Sequence, residues 1–117
     1  MRVMTLALAA FLSLTASALA QDRKGIRFWN LTSATVNKLH LSAPGQNAWG
    51  PNQCLNDKDG EVDHRERLTL KDVQPGKYDV QLGYQSGRMC VVREVEIKDG
   101  AVFSIEDKQL KECTKGT

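Results

Sequence analysis

From residue 25 onward the chain alternates apolar and polar side chains in short runs, each closed by glycine, proline, aspartate or asparagine. Alternation at period two places successive side chains on opposite faces of an extended strand. Residues 25–32 put Ile26 and Phe28 on one face and Trp29 partly packed on the other. Ser33-Ala34-Thr35 interrupts, and residues 36–41 resume with Leu39 and Leu41 together and His40 outward. Leu68-Thr69-Leu70 alternates again, and Pro75-Gly76 turns the chain into residues 78–84, the cleanest strand. There Tyr78, Val80, Leu82 and Tyr84 face in, with Asp79 and Gln81 facing out. Gln85-Ser86-Gly87 closes a hairpin onto residues 88–97. Within that strand the apolar phase slips between the pairs Cys90/Val92 and Val95/Ile97, which predicts a bulge near Arg93. Asp99-Gly100 turns into a last strand over residues 102–105. No window repeats with helical period. Six to seven short strands bounded by turn residues predict an all-β chain, a single antiparallel β-sandwich.

The segment before this pattern changes the compartment. Met1-Arg2, an apolar run over residues 3–14 and Ala18-Leu19-Ala20 have the form of a secretory signal peptide, residues 1–20, cleaved after Ala20. The run is too short to span a bilayer. The chain is therefore expected in the periplasm as one domain over residues 21–110 with a polar C-terminal tail, 111–117. About 97 residues suffice for a single modest core. The formal net charge is +2, or +1 without Arg2 of the leader. Such a balance gives no electrostatic case for a nucleic-acid or membrane partner.

The acid is clustered even though the charge is balanced. Asn56-Asp57-Lys58-Asp59-Gly60-Glu61-Val62-Asp63-His64-Arg65-Glu66 gathers more oxygen donors than any other stretch, and Gly60 lets the backbone turn sharply. Carboxylates converging on a turn suit a hard cation. On the EF-hand frame, Asp57, Asp59, Asp63 and Glu66 fall at the third, fifth, ninth and twelfth positions, with Gly60 at the sixth. The first position is Leu55 and no helix pattern flanks the loop, so this is not an EF-hand. Asp57, Asp59, Asp63 and Glu66 remain the candidate ligands for lanthanide(III) or Ca2+. The competing reading is a solvated polar turn balanced by Lys58, Arg65 and Arg67.

Export also allows Cys54, Cys90 and Cys113 to oxidise. Three cysteines give one bridge and one free thiol; Cys54 with Cys90 is the expected pair, and Cys113 is the alternative partner for either. That bridge would stabilise by on the order of 4 kcal/mol and tether the acidic loop. No pair has metal-site spacing. Residues 42–52 are loop chemistry, in which Trp49 serves as a plug over one end of the core or, alternatively, as a ligand platform. Asn30-Leu31-Thr32 matches a glycosylation sequon by its three residues alone. His64 is a base or transition-metal ligand only if other groups join it, and no nucleophile stands near in sequence, so the chain reads as non-enzymatic.

Val73-Gln74-Pro75-Gly76-Lys77-Tyr78-Asp79-Val80 resembles the strand opening of transthyretin-like and related immunoglobulin-like sandwich domains, which implies fold and not function. A longer pattern runs through Phe28-Trp29-Asn30, Leu39-His40-Leu41-Ser42, Trp49-Gly50, the acidic loop and Tyr78-Asp79-Val80. It is similar to a group of small exported bacterial proteins, and the character of its loop resembles the landiscernin type of periplasmic lanthanide-binding protein. That resemblance implies metal trafficking, with Asp57, Asp59, Asp63 and Glu66 as ligands. A trivalent ion gains half again the Coulomb attraction of calcium, and water or a second copy would complete its shell, giving metal-dependent homodimerisation. The alternative function is a periplasmic interaction module that binds another protein through its loops or an exposed strand edge.

Overall fold

The computed structural model describes residues 25–115; the predicted signal peptide, residues 1–20, lies outside them. Six strands form where the alternation runs: β1 (Arg27–Leu31), β2 (Val36–Ser42), β3 (Arg67–Thr69), β4 (Gly76–Tyr84), β5 (Met89–Ile97) and β6 (Val102–Glu106). Single turns of 3-10 helix at Gln53–Asn56 and Asp107–Gln109 are the helical segments among the described residues. The strands divide into two three-stranded sheets, ordered β3-β1-β6 and β2-β4-β5. Only the β4–β5 hairpin stays within one sheet, so every other connection crosses between them.

The chain is thus mostly β. The antiparallel expectation is corrected at one pair: β1 and β6 run parallel, from Arg27 beside Val102 to Leu31 beside Glu106. A parallel pair needs a long crossover. Here the whole course from β2 to β5 supplies it.

One hydrophobic cluster draws on both sheets. Ile26, Phe28, Leu68, Phe103 and Ile105 come from β1, β3, β6 and their flanks; Leu39, Leu41, Val80, Leu82, Cys90, Val92 and Ile97 come from the other sheet. The rings of Phe28 and Phe103, neighbours on β1 and β6, meet at 5.6 Å. Gly83 lies where β2, β4 and β5 press together: a Cβ there would stand 2.7 Å from Met89 Sδ and 2.8 Å from Lys38 Cβ. Trp49, expected as a plug over the core, is half-buried outside the cluster.

The bulge forms where the phase slip put it. Val80 pairs with Val92 and Tyr78 with Val95, so Asp79 alone faces Arg93 and Glu94. Glu94 takes a left-handed φ of 52° to accommodate the extra residue. The bulge reverses one expectation. Asp79 was expected to face outward, yet it is only 1% exposed. Its carboxylate accepts from Gly45 N (2.8 Å), Glu94 N (3.0 Å) and Arg93 Nη1 (2.8 Å). Burial pushes this carboxyl up, but the two amides and the guanidinium outweigh it and hold Asp79 below its ordinary value.

The disulfide pairing is also corrected: Cys90 bonds Cys113, and Cys54 is a buried free thiol. Cys54 sits on the Gln53–Asn56 turn, its Sγ 3.8 Å from the carbonyl of Val36 on β2. β2 and β5 are opposite edges of their sheet. Two inter-strand steps separate them by about 10 Å, beyond the reach of a disulfide. The stretch read as a polar tail instead runs beside β5. Val91 and Lys111 exchange both backbone hydrogen bonds, at 2.9 and 3.2 Å, and Thr114 N donates to Met89 O at 2.8 Å.

Candidate functional site

The acidic loop is held along its length by the strands it passes. Gly50 N donates to Leu41 O at 2.9 Å. Asn52 then acts as a stand-in strand residue: its Oδ1 accepts from Leu39 N and Cys54 N, both at 3.0 Å, and its Nδ2 donates to Asn37 O at 3.1 Å. Val62 and Val36 exchange backbone hydrogen bonds at 2.8 and 3.0 Å. Beyond it, Arg65 N donates to Asn30 O and Asn30 N donates to Glu66 O, at 2.6 and 3.0 Å.

These attachments decide where the four predicted ligands go. Asp57 Oδ1 accepts from the next residue's amide, Lys58 N, at 2.7 Å. Asp59 Oδ1 accepts from Glu61 N at 2.9 Å, the Asx turn that Gly60 completes with a φ of 71°. Asp63 Oδ1 accepts from Thr35 Oγ1 at 2.8 Å, and Glu66 is exposed beside β1. Asp57 and Asp59 thus precede the Val62–Val36 pair along the chain, and Asp63 and Glu66 follow it. Among the described residues no group of three or more His, Cys, Asp or Glu side chains is gathered closely enough to hold a metal ion. Asp57 and Asp59 do share a neighbour. Burial first, and then these two charges, push the Cys54 thiol up to about 12.

His64 and the residues packed beside the loop serve the fold. His64 Nδ1 lies 2.8 Å from Thr32 O. Trp29 Nε1 donates to Arg65 O at 2.9 Å, with the Arg67 guanidinium 4.2 Å above its ring. Asn30 of the sequon is fully buried. Its Nδ2 donates to Ala34 O and Val62 O, at 2.9 and 2.8 Å, while its Oδ1 accepts from Thr32 N and Oγ1, at 3.0 and 2.6 Å. A groove of about 400 Å³ beside this loop is walled by Leu41, Pro51, Val73 and Tyr78. Of the three amides that line it, Asn52, Gln53 and Asn56, Gln53 is engaged with the main chain of Lys71 on both sides, at 3.0 and 3.1 Å.

The feature that residue-by-residue reading missed is how unequally the sheet edges are covered. The loop covers β2, as above. Outside β3, Asn56 Nδ2 donates to Thr69 O at 3.2 Å and Gln53 brackets Lys71. Along β5, residues 111–114 cover the first half, and the bulge with exposed Arg93, Glu94 and Glu96 marks the second. β6 is different. Arg27 N donates to Ala101 O at 3.0 Å, which fixes the parallel ladder so that Phe103 and Ile105 point their main-chain groups at β1. Val102, Ser104 and Glu106 therefore point theirs outward. Of these, Glu106 N is taken by Gln109 Oε1 at 2.8 Å. No other partner on that side occurs among the described residues. Only strand order reveals this, and strand order is not written in alternation.

Among the described residues, no helix is long and apolar enough to cross a membrane. Comparison of the chain with protein-family models, with curated proteins and with solved structures found no match.

Proposed function

We propose that this chain is an exported, non-enzymatic interaction module of the periplasm. In this reading it is a small β-sandwich, immunoglobulin-like or transthyretin-like, that binds an extended segment of a partner protein along β6. The supporting observation is the open outer edge of β6 beside three edges that are covered, bulged or charged. An incoming strand would pair with the N–H and C=O groups of Val102 and Ser104 and the C=O of Glu106. Main-chain pairing supplies affinity in such recognition, and alternate side chains supply choice of partner. The test exploits Ser104, whose N–H has no role in the β1–β6 ladder. Proline is tolerated on an edge strand with its nitrogen outward. A photo-cross-linking residue at position 102 in the exporting cell should give a discrete protein adduct that Ser104→Pro removes while the thermal melt persists. An adduct pattern indifferent to Ser104→Pro, or identical from Glu96 on the β5 edge, would defeat the reading.

A second reading retains the hard cation with a smaller ligand set, favoured by two carboxylates near enough that their charges both raise the Cys54 thiol. Asp57 and Asp59 would hold lanthanide(III) or Ca2+ with water or a second copy completing the shell, in a trafficking role of the landiscernin kind. Asp63, whose Oδ1 accepts from Thr35 Oγ1, and exposed Glu66 are the further ligands of this reading. Calorimetric titration of metal-free protein with calcium and then lanthanum should show binding that Asp57→Asn with Asp59→Asn abolishes, and sizing should shift with metal. Absence of heat with both ions ends this reading and leaves the first.

A further inference from the structure

The disulfide is unequally presented. Cys90 is fully buried within β5, whereas Cys113 is exposed on the segment that runs beside it. Arg88 Nη2 lies 3.4 Å from Cys113 Sγ. Lys111 and Lys115 flank the same sulfur in sequence and are exposed. The one acid between them is occupied: Glu112 meets Arg93 in a two-point pair, Oε2 to Nε at 2.7 Å and Oε1 to Nη2 at 3.0 Å. The exposed half of the disulfide thus has the Arg88 guanidinium beside its sulfur, with two exposed lysines two residues away on either side in sequence.

We propose that Cys113 is a thiol-exchange site whose substrates are small anionic thiols. A thiolate attacks along the S–S axis, and only the Cys113 side is open to that approach. The new bond joins the small thiol to Cys113 Sγ; the Cys90–Cys113 bond breaks, and Cys90 leaves as a thiolate that takes a proton from water. A second thiol attacks the outer sulfur of the mixed disulfide. It releases Cys113 as a thiol and the small molecule as its own disulfide, so two thiols supply the two electrons. Arg88 acts by drawing the attacking anion to the sulfur and by stabilising charge there as the bond exchanges. Among the described residues, exchange leaves 111–114 attached to β5 by the Val91–Lys111 and Thr114–Met89 hydrogen bonds and the Glu112–Arg93 pair. The edge beneath them then becomes releasable.

Cys54 provides an internal control, because a fully buried thiol reports opening of the fold. The folded protein is incubated with reduced glutathione, which is anionic, or with cysteamine, which is cationic, alongside iodoacetamide labelling of Cys54 in a parallel sample. Acid quenching and peptide mapping locate the adducts. The expected result is a single glutathione adduct on Cys113 while Cys54 stays unlabelled. Arg88→Gln should slow glutathione by about threefold to tenfold and leave cysteamine unslowed, as loss of one guiding charge requires. Raised ionic strength should do the same to the unmutated protein, which keeps the test available if the variant folds poorly. Adducts that appear only as Cys54 becomes labelled, an adduct on Cys90, or equal rates for both thiols insensitive to salt and to Arg88→Gln would each overturn the proposal.

Discussion

Asp79 concentrates at one carboxylate what the sequence made visible and what it hid. Its place in a strand of strict alternation assigned it to solvent, and the bulge opposite was predicted separately from the phase slip at Arg93. The fold joins the two: an extra residue on β5 swings Arg93 and Glu94 over the position facing them, and the isolated Asp79 becomes their shared acceptor. The consequence is a pH dependence of definite sign. Asp79 is held below its ordinary value in the folded state, and so is Glu112, chiefly by the hydrogen bond from Arg93. In the unfolded chain these groups titrate at about 3.9 and 4.3. Their contribution is therefore fully present above those values and is lost as the pH falls toward the lower folded values. Urea midpoints should be flat above about pH 5 and fall steeply below about pH 4. Asp79→Asn should lower the plateau and shrink the acid fall; an unchanged acid limb in this variant would contradict the assignment.

At the level of elements, period-two alternation revealed every strand and most inward faces, because it reports which side of a strand meets the core. It could not report which strands are neighbours, and so the parallel β1–β6 pair, the covered edges and the open one had to come from the fold. The acidic loop shows the same division. Its turn at Gly60 was legible, but Asn52, Gln53 and Asn56, which look like ordinary loop polar residues, turn out to complete the edges of β2 and β3. Asn52 alone satisfies Leu39 N, Cys54 N and Asn37 O. Asn52→Ala should therefore destabilise by about 2 kcal/mol, at the upper end for loss of a capping side chain. Hydrogen exchange at Leu39 should accelerate more than at Leu82 on central β4. Uniform acceleration across both strands would mean that Asn52 has no local hold on the β2 edge.

For the molecule as a whole, three cysteines implied one bridge, while the pairing depended on which edges oppose each other across a sheet. A bridge closing the 23-residue separation from Cys90 to Cys113 stabilises by about 3 kcal/mol in the chain-entropy treatment. Cys113→Ser should lower the unfolding free energy by about that amount, whereas Cys54→Ser should act only through its buried site. Equal losses in both variants with no mobility difference on non-reducing gels would argue against the Cys90–Cys113 link. Asn30 carries the last consequence. Its amide nitrogen, which a glycosylating secretory pathway would modify on the still-unfolded chain, is the same atom that must later donate to Ala34 and Val62 in a space with no exposure. A sugar attached there has nowhere to go once the sheets close. A host that leaves the nitrogen bare avoids that conflict, so a glycosylating host should yield less folded polypeptide than one that does not modify the sequon.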